Sequence, residues 1–164
     1  LVGKISTAKP HISAYPFTTK QIFIGVYKDK IGSEYFQVID TPGILDRPMK
    51  ERNEIEKQAI LALNTIATLV LFVFDPTITS GYDVQSQIEL FEEIKNEFLK
   101  GINVPIKSVI NKADIATEEE IIGLLNKINV KPENTIKISA KKEDNIELVL
   151  DYLLDYFKST NYRR

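Results

Sequence analysis

The residues with the most specific chemistry are Asn111-Lys112-Ala113-Asp114, which close an apolar run at residues 104–110. A carboxylate in that position can accept two hydrogen bonds, from the N1–H and the exocyclic amine of guanine. Adenine offers no such donor pair, so Asp114 would select guanine. Lys112 can lay its apolar stem along the base plane, and Asn111 can tie neighbouring loops together. The bland alternative is a polar turn that happens to contain these residue types.

Three weaker motifs share the same logic. Ser139-Ala140-Lys141 follows a second β-branched run, 28 residues after Asn111 with one helical pattern between. A small residue at Ala140 lets a backbone N–H approach the guanine O6. Asp40-Thr41-Pro42-Gly43 follows a third such run. An acidic residue there can hold a hydrated Mg²⁺, and Gly43 lets its N–H approach a phosphate without a Cβ in the way. Upstream, Tyr15-Pro16-Phe17-Thr18-Thr19 offers a hydroxyl, that of Thr19, to the metal and a terminal phosphate. Each of these three is weak alone and could be an ordinary turn. Their order along the chain, with each at an element boundary, points to a guanine-nucleotide site.

The elements that must position these groups follow from periodicity. Residues 21–28 and 34–39 are short, aromatic and β-branched around a Gly-containing connection, which predicts an antiparallel hairpin. Residues 68–74, 104–110 and 135–138 are apolar runs without clean alternation, as in strands buried on both faces. Between them the spacing is helical. Ile55, Ala59, Leu63 and Ile66 form one stripe, and Val84, Ile88, Phe91 and Phe98 a second behind the N-cap candidate Asp83. Thr117 and Glu120 form a capping box ahead of Ile121, Leu124, Leu125 and Ile128. A last helix spans about 145–157, burying Ile146, Val149, Leu150, Leu153 and Phe157. Residues 1–8 read as the tail of a helix stopped by Pro10. Strands alternating with helices predict an α/β fold: a mostly parallel sheet with one antiparallel hairpin strand and helices on both faces. Ligands of such sheets bind beyond the carboxyl ends of the strands, where the polar motifs fall.

Composition narrows the field. The 164 residues fit one domain, 1–164, with 43% hydrophobic residues. Lys and Arg number 21 against 23 Asp and Glu, a net charge of −2, so strong direct nucleic-acid binding by this domain alone is not expected. There is no cysteine, which excludes a disulfide scaffold, a thiolate metal site and a Cys nucleophile. With no membrane-length apolar stretch, the expected location is cytoplasmic.

The segments TAKPHISAYPFTT, IDTPGILDRP, ERNEIEKQAILAL and FDPTITSGY resemble the nucleolar GTP-binding (NOG) branch of the Obg-like GTPases. YPFTT is shared across Obg relatives, and DRP followed by ERNEIE is more specific to the NOG branch. The resemblance covers essentially the whole chain. It implies a Ras-like P-loop GTPase fold, GTP hydrolysis to GDP with Mg²⁺, and a role on the large ribosomal subunit or its precursor. In a eukaryote it implies a nucleolar location. On this basis Thr19 and Asp40 are the expected metal ligands. Gly43, Asn111, Lys112, Asp114, Ser139, Ala140 and Lys141 complete the expected nucleotide site.

Two departures from the family pattern stand out. The family's phosphate loop, G-x-x-x-x-G-K-[ST], does not occur. Val2-Gly3-Lys4 is followed by Ile5, and Lys158-Ser159-Thr160 lacks the glycines. The domain is therefore expected to be N-terminally incomplete, missing a central strand between the hairpin and residues 68–74. This chain alone is expected to bind nucleotide weakly, with sub-micromolar affinity for fluorescent GDP as the contrary result. The second departure is Ile44, which stands where Ras-type enzymes carry the water-orienting Gln. No catalytic side chain is assigned, and hydrolysis would need another element, such as K⁺ or a partner residue. The competing class is a non-catalytic guanine-nucleotide or partner-binding module. Asp46, Arg47 and residues 51–56 read equally as a docking surface or as a solvated loop. His11 reads as a loop residue, Asp75-Pro76 as a turn, and Tyr152 and Tyr156 as partly exposed helix positions.

Overall fold

A computed structural model describes residues 1–9, 22–28, 32–41, 54–77 and 83–160. The element order is α1 (Val2–Ile5), β1 (Phe23–Lys28), β2 (Glu34–Asp40), α2 (Glu54–Thr65), β3 (Val70–Phe74), α3 (Val84–Glu93), β4 (Ile106–Ile110), α4 (Glu118–Lys127), β5 (Ile136–Lys137) and α5 (Ile146–Ser159). A π-helical turn, Ile94–Phe98, extends α3, and a 3₁₀ turn, Pro132–Asn134, precedes β5. Each strand begins up to two residues later than its apolar run.

β3, β4 and β5 form a parallel sheet in that order, with Phe74 opposite Ile110 and Ile110 opposite Lys137. Alternation along these strands divides the interior in two. Val70, Phe72, Phe74 and Ile110 face one core with Ile88 and Phe91 of α3 and Ile121, Leu124 and Leu125 of α4. Leu71 and Val109 face the other, with Ile5 of α1 and Ile146, Val149 and Leu153 of α5. The sheet is thus covered on both faces, as parallel strands require.

The hairpin β1–β2 is antiparallel, running from Phe23 opposite Asp40 to Tyr27 opposite Phe36. Among the described residues it forms its own two-stranded ladder, and side chains seat it on α5. Phe36 stacks between Tyr27, at 5.1 Å, and Phe157 of α5, at 5.0 Å. Aromatic stacking and shared burial replace backbone pairing here.

Two details depart from the sequence pattern. α1 stops at Ile5, well before Pro10, because the Thr7 N–H is drawn to the Val26 carbonyl (3.0 Å) and the Val26 N–H to Thr7 Oγ1 (3.0 Å). Residues 6–8 therefore lie along the β1 edge. Gly25 permits that approach: a Cβ there would sit 2.4 Å from the Ala8 nitrogen and 2.5 Å from Ser6 Oγ. Ile66, expected on the buried stripe of α2, lies beyond the helix end and is 60% exposed. The two predicted helix caps take their expected places. Asp83 caps α3 by accepting from the Ser86 N–H (2.8 Å), and Thr117 and Glu120 close a capping box on α4.

Candidate functional site

The parallel strands end together, and their polar residues converge there. The Asn111 N–H continues the β3–β4 ladder by donating to the Phe74 carbonyl (2.8 Å). The Ala113 N–H donates to the Ile138 carbonyl (3.0 Å), which fastens the loop after β4 to the end of β5. Between these anchors Lys112 takes φ +59°, a left-handed conformation uncommon for a residue with a Cβ. Glu143 (φ +67°) and Asn145 (φ +58°) share that conformation in the adjacent loop. Three such residues within two neighbouring loops mark backbone strain concentrated at one end of the sheet.

The second loop is closed by its own pairing. Ser139 and Asp144 exchange backbone hydrogen bonds of 3.1 Å in each direction. Asn145 Nδ2 donates to the Lys137 carbonyl (2.9 Å) at the start of α5. Asn111 Oδ1 accepts from the Ala140 N–H (3.0 Å), a side-chain tie across the two loops. That N–H, assigned in the sequence to a guanine O6, is therefore already engaged; a base oxygen would share it with Asn111 in a three-centre bond.

Asp114 sits at the centre of this arrangement, its side chain only 12% exposed. The buried Ser139 hydroxyl accepts from the Lys142 N–H (3.2 Å). The Lys142 ammonium lies 3.3 Å from Asp114 Oδ2. The Ser139 hydrogen bond first, then Lys142, hold the Asp114 carboxyl below the ordinary range, so it is an anion at neutral pH. A carboxylate has about four acceptor positions, so two partners leave room for two further donors.

Asp40 ends β2 under different conditions. It is half-buried, and burial pushes its pKa up. A desolvated carboxylate of this kind is relieved by a cation. Among the described residues no group of three or more His, Cys, Asp and Glu gathers to hold a metal. Lys4 of α1 pairs with Glu143 in the loop after β5. Lys141 lies exposed in that loop. Thr19, Gly43, Ile44, His11, Asp46 and Arg47 lie outside the described residues.

Several contributors were missed in the sequence. Asp75, read there as part of a turn, pairs with Lys112 through an Oδ2–Nζ contact of 2.5 Å. Gln87 and Thr77 hold Asp75, and Lys142 holds Asp114. A glutamine on the buried stripe of α3 was the available signal, because a buried amide needs a partner. Tyr152 and Tyr156 are half-buried, Tyr152 beneath the Lys107 ammonium at 4.7 Å and Tyr156 donating to the Thr68 carbonyl (2.7 Å).

Comparison with known proteins places this geometry. The sequence profile of nucleolar GTP-binding protein 1 (NOG1) matches residues 54–114. An uncharacterised protein of Methanocaldococcus jannaschii is 47% identical over 121 residues, 74% of this chain and 32% of that one. Nucleolar GTP-binding protein 1 of Drosophila melanogaster is 42% identical over 120 residues, 73% of this chain and 18% of that one. The chain thus spans about a third or less of the length of these relatives. Among solved structures, a candidate nucleolar GTP-binding protein 1 of Plasmodium falciparum superposes with a TM-score of 0.60 at 29% identity, over 85% of this chain and 72% of that one. Era, solved with MgGDPNP and a segment of 16S ribosomal RNA, superposes with a TM-score of 0.63 at 28% identity, over 90% of this chain and 48% of that one. The fold is that of the P-loop GTPases, and the chain belongs to the nucleolar GTP-binding (NOG) branch of the Obg-like GTP-binding proteins.

Proposed function

We propose that residues 1–164 are a single GTP-binding domain whose base pocket is the paired loops after β4 and β5. The observation that carries this reading is the Asp114 carboxylate, its side chain 12% exposed between those loops and 3.3 Å from the Lys142 ammonium. In this reading Asp114 accepts from the guanine N1–H and exocyclic amine. The stem of Lys112 covers one face of the base, and Lys141 lies beside the pocket. The Ala140 N–H, kept in place by Asn111, meets the guanine O6. Asp114→Asn tests it directly. GTP binding should weaken and xanthosine triphosphate should be admitted; unchanged guanine preference removes Asp114 from this role.

The domain acts as a switch that hydrolyses GTP to GDP and phosphate. Asp40, with Thr19, would hold Mg²⁺, and Gly43 would follow the terminal phosphate. When bound, Mg²⁺ neutralises charge on the phosphate oxygens. The desolvated state of Asp40 supports its part in this, since ion binding returns a counter-charge to a carboxylate deprived of water. With Ile44 at the usual Gln position, water activation is left to K⁺ or to a group supplied by a partner. The switch would report on assembly of the large ribosomal subunit, in the nucleolus of a eukaryotic cell or the cytoplasm of any other. Support for that role comes from family membership, and from Era, a structural neighbour solved with a segment of 16S ribosomal RNA. Among the described residues no helix is long and apolar enough to cross a membrane. Co-sedimentation of the natural-length protein with large-subunit precursors, dependent on a GTP analogue, tests the partner; sedimentation apart from them in both nucleotide states contradicts it.

A further inference from the structure

Asp75 lies just past the end of β3, outside the motifs that identify a guanine site, yet it is the most heavily anchored carboxylate near the strand ends. Its backbone is clamped by Gln87 of α3: the Asp75 N–H donates to Gln87 Oε1 (2.8 Å), and Gln87 Nε2 donates to the Asp75 carbonyl (2.8 Å). Its side chain is oriented by the buried Thr77, whose N–H (3.0 Å) and hydroxyl (2.7 Å) both donate to Oδ1. The remaining oxygen, Oδ2, meets the Lys112 ammonium at 2.5 Å, with the Asp75 side chain 15% exposed and that of Lys112 32%.

This geometry constrains Lys112 at both ends. Its Cα is set by the left-handed backbone between the Asn111 and Ala113 ladder bonds, and its Nζ by Asp75. A free lysine stem loses rotamer freedom when a ligand packs on it. Here that freedom is lost before any ligand arrives, which is preorganisation. The ion pair also ties the end of β3 to the loop after β4, and Gln87 ties both to α3.

We propose that Asp75 is a positioning residue of the nucleotide site, holding the Lys112 ammonium so that the lysine stem stands ready as one wall of the base pocket. The proposal rests on the guanine-site reading given above. Asp75 does not touch the base; it acts through Lys112.

The test uses the natural-length protein with fluorescent GDP, measuring dissociation rate and affinity for Asp75→Asn, Lys112→Met and the double variant. Asp75→Asn retains an acceptor for Thr77 and removes the charge facing Lys112. It should speed GDP release about three- to tenfold with little change in melting temperature. The double variant should release GDP no faster than Lys112→Met alone. Competition by ribose 5′-diphosphate, which lacks the base, should be unchanged by Asp75→Asn; a general structural role would weaken both ligands together. If Asp75→Asn fails to fold, Thr77→Val frees the carboxylate to rotate and should speed release about twofold. The proposal is overturned if Lys112→Met weakens GDP while the Asp75 or Thr77 variant has no effect, or if the two effects multiply in full. If Lys112→Met itself leaves GDP binding intact, the underlying base-pocket reading fails with it.

Discussion

Asp40 and Asp114 are both carboxylates at strand exits, yet the fold treats them in opposite ways. Asp114 receives a hydroxyl hydrogen bond from buried Ser139 and the charge of Lys142, and its pKa falls. Asp40 is half-buried on a strand that pairs only with β1 in the described ladders, and burial raises its pKa. The first is an anion already oriented and stabilised, as suits recognition of fixed donors on a base. The second is an anion short of solvation, as suits a group whose partner is a mobile cation. Environment gives one residue type two electrostatic states, because the same charge is stabilised by donors in one place and penalised by desolvation in the other.

The strongest way to break this contrast is to neutralise each carboxylate in the natural-length protein. Asp114→Asn should lower GTP affinity on the order of a hundredfold, since an unmatched polar pair in a pocket is heavily penalised, and should do so with or without Mg²⁺. Asp40→Asn should lower affinity only when Mg²⁺ is present, so that chelation makes the variant and the parent alike. Calorimetric titration in both conditions separates the two; equal losses under chelation would end the distinction.

A smaller effect concerns the hairpin that carries Asp40. Gly25→Ala forces a Cβ against the Ala8 nitrogen and should destabilise the fold by about 1–3 kcal/mol. Hydrogen exchange should show the lost protection in β1 and residues 6–8, with the loops after β4 and β5 unaffected. Uniform loss would mean that the two halves unfold as one unit.

The pH dependence should also have opposite signs at the two sites. The Asp114 pKa is lower in the folded state than in the unfolded chain. Its stabilisation is therefore full above the unfolded value, about 4, and is lost as pH falls through the folded value. The Asp40 pKa is raised on folding, so its contribution is full at acid pH and is lost as pH rises through the folded value. Denaturation of Asp40→Asn should show a variant more stable than the parent at neutral pH, with the gap closing in acid. Asp114→Asn should show the reverse, with its deficit shrinking as pH falls. The smallest expected effect is at Ile44, where Ile44→Ala should change the GTP hydrolysis rate by less than about threefold, because an aliphatic chain cannot polarise water. A large specific loss in single-turnover hydrolysis would assign Ile44 a role.

Much of the architecture was legible because it depends on short-range pattern. The capping box at Thr117, the cap at Asp83 and the buried stripe Ile121, Leu124, Leu125 and Ile128 need only local spacing. The strand ends were placed within two residues for the same reason. The aromatic stack that seats the hairpin on α5 was not legible, because it depends on what lies alongside in space. The early end of α1 was hidden likewise: Thr7 bonds to Val26, 19 positions away, and that contact overrides the expectation that Pro10 ends the helix.

The site shows the same division. Sequence alone determined the residue types, their order and the strand-end positions of Asn111–Asp114 and Ser139–Lys141, since motif and periodicity are properties of neighbouring positions. Tertiary structure alone decided the partners. It placed Lys142 on Asp114, Asn111 on Ala140, and Asp75 with Gln87 behind Lys112. The physical reason is that hydrogen bonds and ion pairs act over about 3 Å in space, whereas these partners are separated by 12 to 37 positions along the chain.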